Sequence, residues 1–212
     1  MPRARSKRKG TLRRGSATPR RGSAETRGAF AGRRIAFAVT GGIAAYKAAA
    51  LASRLVQAGA EVHALLTEAA ARFVTPLTFE SLTGRPAAVS LWEKPEGHAI
   101  GHVALADWAE AAVVAPATAD AIGKLAGGLA DDLVSTFLLA FGGPVLLAPA
   151  MNARMWAHPA VRENVTKLRR RKVRLVGPVK GRLASGAVGP GRMAEPEAIA
   201  SALVTLLKRR RG

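Results

Sequence analysis

Three short segments of the 212-residue chain carry residue types that can bind or orient a charged ligand. In Thr40-Gly-Gly-Ile-Ala-Ala-Tyr-Lys47 the small residues let backbone N–H groups and a helix N-terminus approach an anion. The spacing fits neither the GxxxxGK[ST] phosphate loop nor GxGxxG, so a plain strand-to-helix turn stays open beside phosphate binding. In Ala115-Pro-Ala-Thr-Ala-Asp120, Thr118 can cap a helix or donate its hydroxyl to a ligand. In Ala148-Pro-Ala-Met-Asn-Ala-Arg-Met-Trp156, Asn152 stands just past an apolar run, badly placed for packing but well placed to hydrogen-bond a carboxylate or a ring edge. The chain has no Cys, which removes disulfides, thiolate nucleophiles and Cys-ligated metals, and no metal is expected. Asp131 and Asp132 are read as a helix start rather than as an acid/base or metal pair, because adjacent helical positions do not face each other.

Elements that would position these segments alternate along the chain from Arg33 onward, strand-length apolar runs with Ala-rich helical patterns. That alternation predicts an α/β domain with a parallel sheet covered on both faces. Strands are expected at 34–40, 61–67, 112–115, 144–148 and 173–176. Helices are expected at 43–57, from Thr75-Pro76 to Gly84, and at 118–126, 131–141, 159–171 and 196–210, with a Gly-rich loop over 180–193. In such a sheet the ligand sits outside the carboxyl ends of the strands, which is where all three segments fall.

The formal charge of +19 is uneven. Residues 1–34 hold 12 Lys/Arg against the single acid Glu25, residues 167–174 hold six, and Lys208 to Arg211 add four. The remaining body is close to neutral. A basic, disordered extension over 1–32, a domain over 33–207 and a basic tail over 208–212 are expected, with nucleic acid as a secondary partner of the tails. The longest apolar run, Phe137 to Met151, is broken by Gly142, Gly143, Pro144 and Pro149, and no apolar leader is present, so no membrane partner and a cytoplasmic location are expected.

The strings TGGIAAYKA (40–48), GHVALADWAE (101–110), APATADAIGKLAGGLADDLVST (115–136), PAMNARMW (149–156) and LASGAVGPGRMAEP (183–196) together resemble the homo-oligomeric flavin-containing cysteine decarboxylases. Among them the match is to the phosphopantothenoylcysteine decarboxylases of coenzyme A synthesis, over about residues 33–205. The resemblance implies a single Rossmann-like, flavodoxin-like domain. It implies FMN as cofactor, held by Gly42, Ile43, Ala44, Thr67, Thr118, Ala119, Asp120 and Ala150. It makes His102 the active-site histidine and Asn152 the holder of the substrate carboxylate, with Lys47, Met155, Ala184, Arg192 and Met193 also toward substrate and Lys47 toward its phosphate. Residues 183–195 match a loop that closes over substrate. The implied chemistry is oxidation of the thiol-bearing carbon to a thioaldehyde, loss of carbon dioxide and re-reduction of the ene-thiol, giving 4'-phosphopantetheine.

Two positions depart from the pattern. Ser185 stands where many relatives carry a Cys proposed as proton donor, and a hydroxyl is a far weaker acid than a thiol. Asp107 stands where several relatives carry a basic residue near the substrate phosphate. The resemblance further implies a homotrimer with His102 contributed across the interface, and a separate phosphopantothenoylcysteine synthetase. The alternatives are a peptidyl-cysteine decarboxylase that releases an ene-thiol and a non-catalytic flavin-binding or nucleic-acid-binding protein. His63, His98 and His158 lack the HxxLxxWA context of His102 and are expected to be structural or exposed.

Overall fold

The structure, a computed structural model, describes residues 28–92 and 101–208. The chain runs β1 (Arg34–Val39), α1 (Ala45–Gln57), β2 (Glu61–Leu66), α2 (Glu68–Ala71), α3 (Pro76–Thr83), α4 (His102–Trp108), β3 (Ala111–Ala117), α5 (Ala119–Gly127) and α6 (Leu133–Ala140). It continues through β4 (Val145–Pro149), α7 (Ala153–Ala157), α8 (Pro159–Arg170), β5 (Arg174–Leu175), β6 (Val179–Arg182), β7 (Val188–Arg192) and α9 (Pro196–Lys208). Five strands form a parallel sheet in the order β2-β1-β3-β4-β5. The chain reverses direction across the sheet between β1 and β3, and that reversal opens a crevice at the strand tips.

β1 shows why both faces must be covered. Ile35, Phe37 and Val39 enter one core with Leu51, Leu55, Phe79, Ile199 and Leu203, while Ala36 and Ala38 enter the other with Leu105, Ile122, Phe137 and Leu168. All of these β1 side chains are fully buried, as expected of a parallel strand. α1 buries Ala45, Ala48, Leu51, Ala52 and Leu55, a stripe at helical spacing whose small residues let it lie close to the sheet. The expected turn chemistry is present: Pro76 opens α3, and Gly84 and Gly128 close α3 and α5 in left-handed caps.

The Gly-rich loop expected over 180–193 is instead an antiparallel hairpin, β6 with β7, and that expectation is corrected. α2, α4 and α7 are further elements that the hydrophobic pattern did not mark. Phe30 is fully buried in the core, so packing begins within the segment assigned above to the 1–32 extension; residues 1–27 and 209–212, and His98, lie outside the described residues.

α4 is fastened to edge strand β2. His63 meets the Trp108 ring edge-on at 4.6 Å, and the Arg85 guanidinium lies 5.7 Å over the same ring. Arg85 also donates to His63 Nε2 at 3.1 Å and pairs with Glu61 at 2.7 Å. Burial, and after it the Arg85 charge, hold the His63 pKa below its ordinary value against the opposing effect of Glu61. His158 is exposed and caps α8, accepting from Ala160 N–H.

Candidate functional site

A cavity of about 970 Å³ opens at the C-terminal tips of β1, β3 and β4. Its walls come from the three segments singled out by sequence: Gly41 to Ala44 with Lys47, Thr118 to Asp120, and Ala150 to Asn152 with Met155. The β6–β7 hairpin closes a further side with Arg182 to Ser185, Gly191, Arg192 and Met193. Of the expected cofactor and substrate residues, Gly42, Ile43, Ala44, Lys47, Thr118, Ala119, Asp120, Ala150, Asn152, Met155, Ala184, Ser185, Arg192 and Met193 all line this one cavity.

The first wall is electropositive for a backbone reason. α1 has no side-chain cap on its N-terminus and no acid in its first turn, so the N–H groups and helix dipole of a 13-residue helix point at the cavity. Close packing beneath it requires glycine at position 41, where a Cβ would lie 2.4 Å from Ala69 Cβ. The second wall is tied to the first through buried Thr40. Its Oγ1 donates to Pro116 O at 2.8 Å, accepts from Thr118 N–H at 3.1 Å and lies 3.1 Å from Thr118 Oγ1. Thr118 in turn accepts from Ala121 N–H and caps α5.

Asn152 caps α7, its Oδ1 accepting from Arg154 N–H at 2.8 Å. That bond fixes the amide and leaves Nδ2 as a donor for a ligand. Lys47, its side chain 9% exposed, places its ammonium 3.0 and 3.1 Å from the two carboxylate oxygens of Glu195, and Arg192 meets the same carboxylate at 2.6 Å. Thr40 and Glu195 fall within the segments 40–47 and 183–195 singled out by sequence, but neither was expected to have a role of its own. Their signals were position alone, Glu195 three residues after Arg192 and Thr40 at the end of β1.

Thr67 does not line this cavity. It caps α2 and lines an adjoining pocket of about 320 Å³ that shares Ala69 and Asp120 with the larger one. His102, half-buried at the start of α4, and exposed Asp107 also stand outside the lining within a single chain.

Behind Asp120 lies a charge network. Lys124 Nζ is 2.9 Å from Asp132, 3.0 Å from Asp131 and 3.5 Å from Asp120, and Asp132 forms a reciprocal capping box with Ser135 at the start of α6. Burial alone would raise the Asp132 pKa, but the Ser135 N–H, the Lys124 ammonium and the Ser135 hydroxyl together hold it below its ordinary value. The Asp132 bond, outweighing desolvation and joined by Asp131 and Asp120, raises that of Lys124. The acid pair thus anchors a helix, and among the described residues no group of three or more His, Cys, Asp or Glu is arranged to hold a metal ion.

Comparison with known proteins agrees with this architecture. The flavoprotein family profile matches residues 23–208. The coenzyme A biosynthesis bifunctional protein CoaBC of Bacillus subtilis (strain 168) is 50% identical over 161 residues, 76% of this chain and 40% of the relative. That of Escherichia coli (strain K12) is 44% identical over 162 residues, 76% of this chain and 40% of the relative. The chain therefore spans about two fifths of the length of the curated relatives it matches. Among solved structures, a cysteine-to-serine mutant of PPC decarboxylase complexed with pantothenoylaminoethenethiol superposes with a TM-score of 0.73 at 33% identity, covering 84% of this chain and 99% of the other. The FMN-binding protein AtHal3 gives a TM-score of 0.71 at 32% identity, covering 84% and 97%. A strand order that reverses between β1 and β3, an uncapped helix N-terminus at that reversal and a profile match over most of the sequence place this chain in the flavoprotein family.

Proposed function

We propose that the chain is an FMN-dependent phosphopantothenoylcysteine decarboxylase that converts 4'-phospho-N-pantothenoylcysteine to 4'-phosphopantetheine and carbon dioxide. The observation that carries this reading is that Gly42, Thr118 and Asn152, far apart in sequence, line one cavity. The residues present fit FMN. The uncapped α1 N-terminus suits its phosphate, and a cavity of about 970 Å³, in which Gly41, Gly42, Ala44, Ala119 and Ala150 leave room beside larger residues such as Met155 and Met193, suits a tricyclic ring together with a substrate.

When bound, FMN supplies reversible two-electron chemistry at the thiol-bearing carbon, the electron sink that a simple cysteine carboxylate lacks. The chain's own residues do the positioning. Asn152 Nδ2 donates to the substrate carboxylate and aims the bond that breaks. Lys47 and Arg192 receive the substrate phosphate, exchanging part of their contact with Glu195 for it. Met155, Ala184 and Met193 exclude water. His102 acts on the cavity of a neighbouring subunit in a homotrimer, holding or moving a proton there. Overall the carboxylate leaves as carbon dioxide and one proton is taken up at the carbon it leaves, so a proton donor is obligatory. Ser185 is a weak one, which assigns delivery to water or His102. The reaction takes place in the cytoplasm; among the described residues no helix is long and apolar enough to cross a membrane.

The test is to purify the protein, record its absorption spectrum and incubate it with 4'-phospho-N-pantothenoylcysteine. Yellow protein releasing carbon dioxide and phosphopantetheine is expected. Colourless protein, inert after FMN is added, overturns the reading. Ene-thiol as the sole product favours the peptidyl-cysteine type of reaction and removes the reductive half.

A further inference from the structure

Two positive side chains from different elements meet at the cavity wall, and one carboxylate joins them. Lys47 comes from the first turn of α1 and Arg192 from the end of β7, and both line the cavity. Glu195 does not line it. Its Oε1 accepts from Lys47 Nζ at 3.0 Å and from Arg192 Nη2 at 2.6 Å, and its Oε2 accepts from Lys47 Nζ at 3.1 Å. An ammonium and a guanidinium repel each other, yet both are held here on a single oxygen atom. The carboxylate is half-exposed and stands outside the lining, so it gathers the two cations without taking the space in front of them.

Fastening α9 to the fold does not depend on this arrangement. Arg54, two turns along α1 from Lys47, pairs with Glu197, and Ile199, Ala200 and Leu203 bury α9 in the core it shares with α1. Glu195 O accepts from Ile199 N–H at 3.1 Å, which fixes the backbone from which the carboxylate reaches. The oxygen shared by Lys47 and Arg192 therefore serves the cavity rather than the docking of the helix.

We propose that Glu195 is a positioning residue that converges Lys47 and Arg192 into a two-pronged seat for a terminal phosphomonoester. The inference rests on the reading above, in which these two cations receive the substrate phosphate. An ammonium has three N–H donors and a guanidinium five, so each keeps Glu195 on part of its donors and turns the rest to the ligand. A phosphomonoester dianion offers separate oxygens to the two prongs in charge-assisted hydrogen bonds. A hydroxyl in the same place brings neither the charge nor the second oxygen, so the seat selects a phosphorylated ligand over its dephosphorylated form. Charge alone makes the opposite prediction for the loss of Glu195: a wall with one carboxylate fewer is more positive and would hold phosphate more tightly.

The experiment is calorimetric titration of the flavin-loaded full chain with 4'-phosphopantetheine and, separately, with pantetheine. The parent should bind the phosphorylated ligand about tenfold or more tightly than the other. In Glu195→Gln that ratio should fall about fivefold or more, pantetheine itself binding as before. Glu195→Asp keeps the charge and should recover most of the ratio. Arg192→Gln should lower it as well, and adding Glu195→Gln to Arg192→Gln should change it little further, because only one prong is left to aim. Flavin absorbance and thermal unfolding establish that each variant is folded. The proposal is overturned by an unchanged or raised ratio in Glu195→Gln, by equal weakening of both ligands, by Glu195→Asp behaving as Glu195→Gln, or by additive effects of the Arg192 and Glu195 changes. A parent that binds both ligands alike overturns the phosphate contact of Lys47 and Arg192 in the reading above, and this role of Glu195 with it.

Discussion

Met151 N–H donates to Gly191 O at 2.9 Å, and this bond fastens the β6–β7 hairpin to the segment that carries Asn152. Gly191 has φ +147, and a Cβ there would lie 2.2 Å from Met151 O, so only glycine allows the approach. Gly191→Ala should therefore lift the hairpin from the cavity. The expected outcome is a stability loss of about 1 to 3 kcal/mol by denaturant unfolding, with KM for substrate raised at least tenfold.

Glu195 holds Lys47 in place at the cavity wall. Glu195→Gln leaves a nearly buried ammonium facing an uncharged amide, and should lower stability by about 1 to 2 kcal/mol, the half-exposed position of Glu195 limiting the loss. Lys47→Ala should raise KM tenfold or more while kcat changes less and the flavin spectrum is kept. An unchanged KM would reduce Lys47 to an anchor for Glu195.

Asp132 predicts a fall in stability toward acid pH. Its folded pKa lies below the ordinary 3.8, so its contribution is complete above that value and is lost as pH falls through the lower, folded one. Asp132→Ala should remove this part of the acid limb and, by removing the α6 cap, cost about 1 to 2 kcal/mol near neutrality. Chemical denaturation across pH for both proteins checks it. Lys124 works in the opposite sense: its raised pKa stabilises fully below the ordinary 10.5 and ceases to do so as pH rises through the folded value.

His63 predicts a second slope at milder pH. Burial favours its neutral form in the fold, so the unfolded chain binds the proton more readily. Its contribution is therefore complete above the ordinary 6.5 and declines below it, where a protonated ring would face Arg85 as well as Trp108 and Glu61. His63→Gln should flatten the melting temperature between pH 7 and pH 5 to within about a degree. Because Trp108 belongs to the helix that starts at His102, turnover should track this transition in the parent protein.

The sheet and its covering helices were legible because buried parallel strands and Ala/Leu stripes are written as local periodicity. Strand ends are legible too, because each apolar run stops at a small-residue segment, and this marks the three segments around Gly42, Thr118 and Asn152. The hairpin was not. Val179-Lys-Gly-Arg182 and Val188-Gly-Pro-Gly-Arg192 have no alternation of apolar side chains, and β7 holds its place through buried Gly189 and Gly191 and the Met151 bond, which leave no trace in hydropathy. α4 and α7, at seven and five residues, are too short for a periodic signal, and α7 buries no residue at all. The Lys47–Glu195 pair spans 148 positions, and no local pattern announces it.

Ser185 lies in the turn between the two hairpin strands, facing the cavity, in a protein that contains no sulfhydryl of its own. Substituting cysteine at this one position would create a unique attachment point for a fluorophore or spin label. The distance and environment of the hairpin relative to the cavity could then be measured directly, without first stripping competing reactive groups from the rest of the polypeptide.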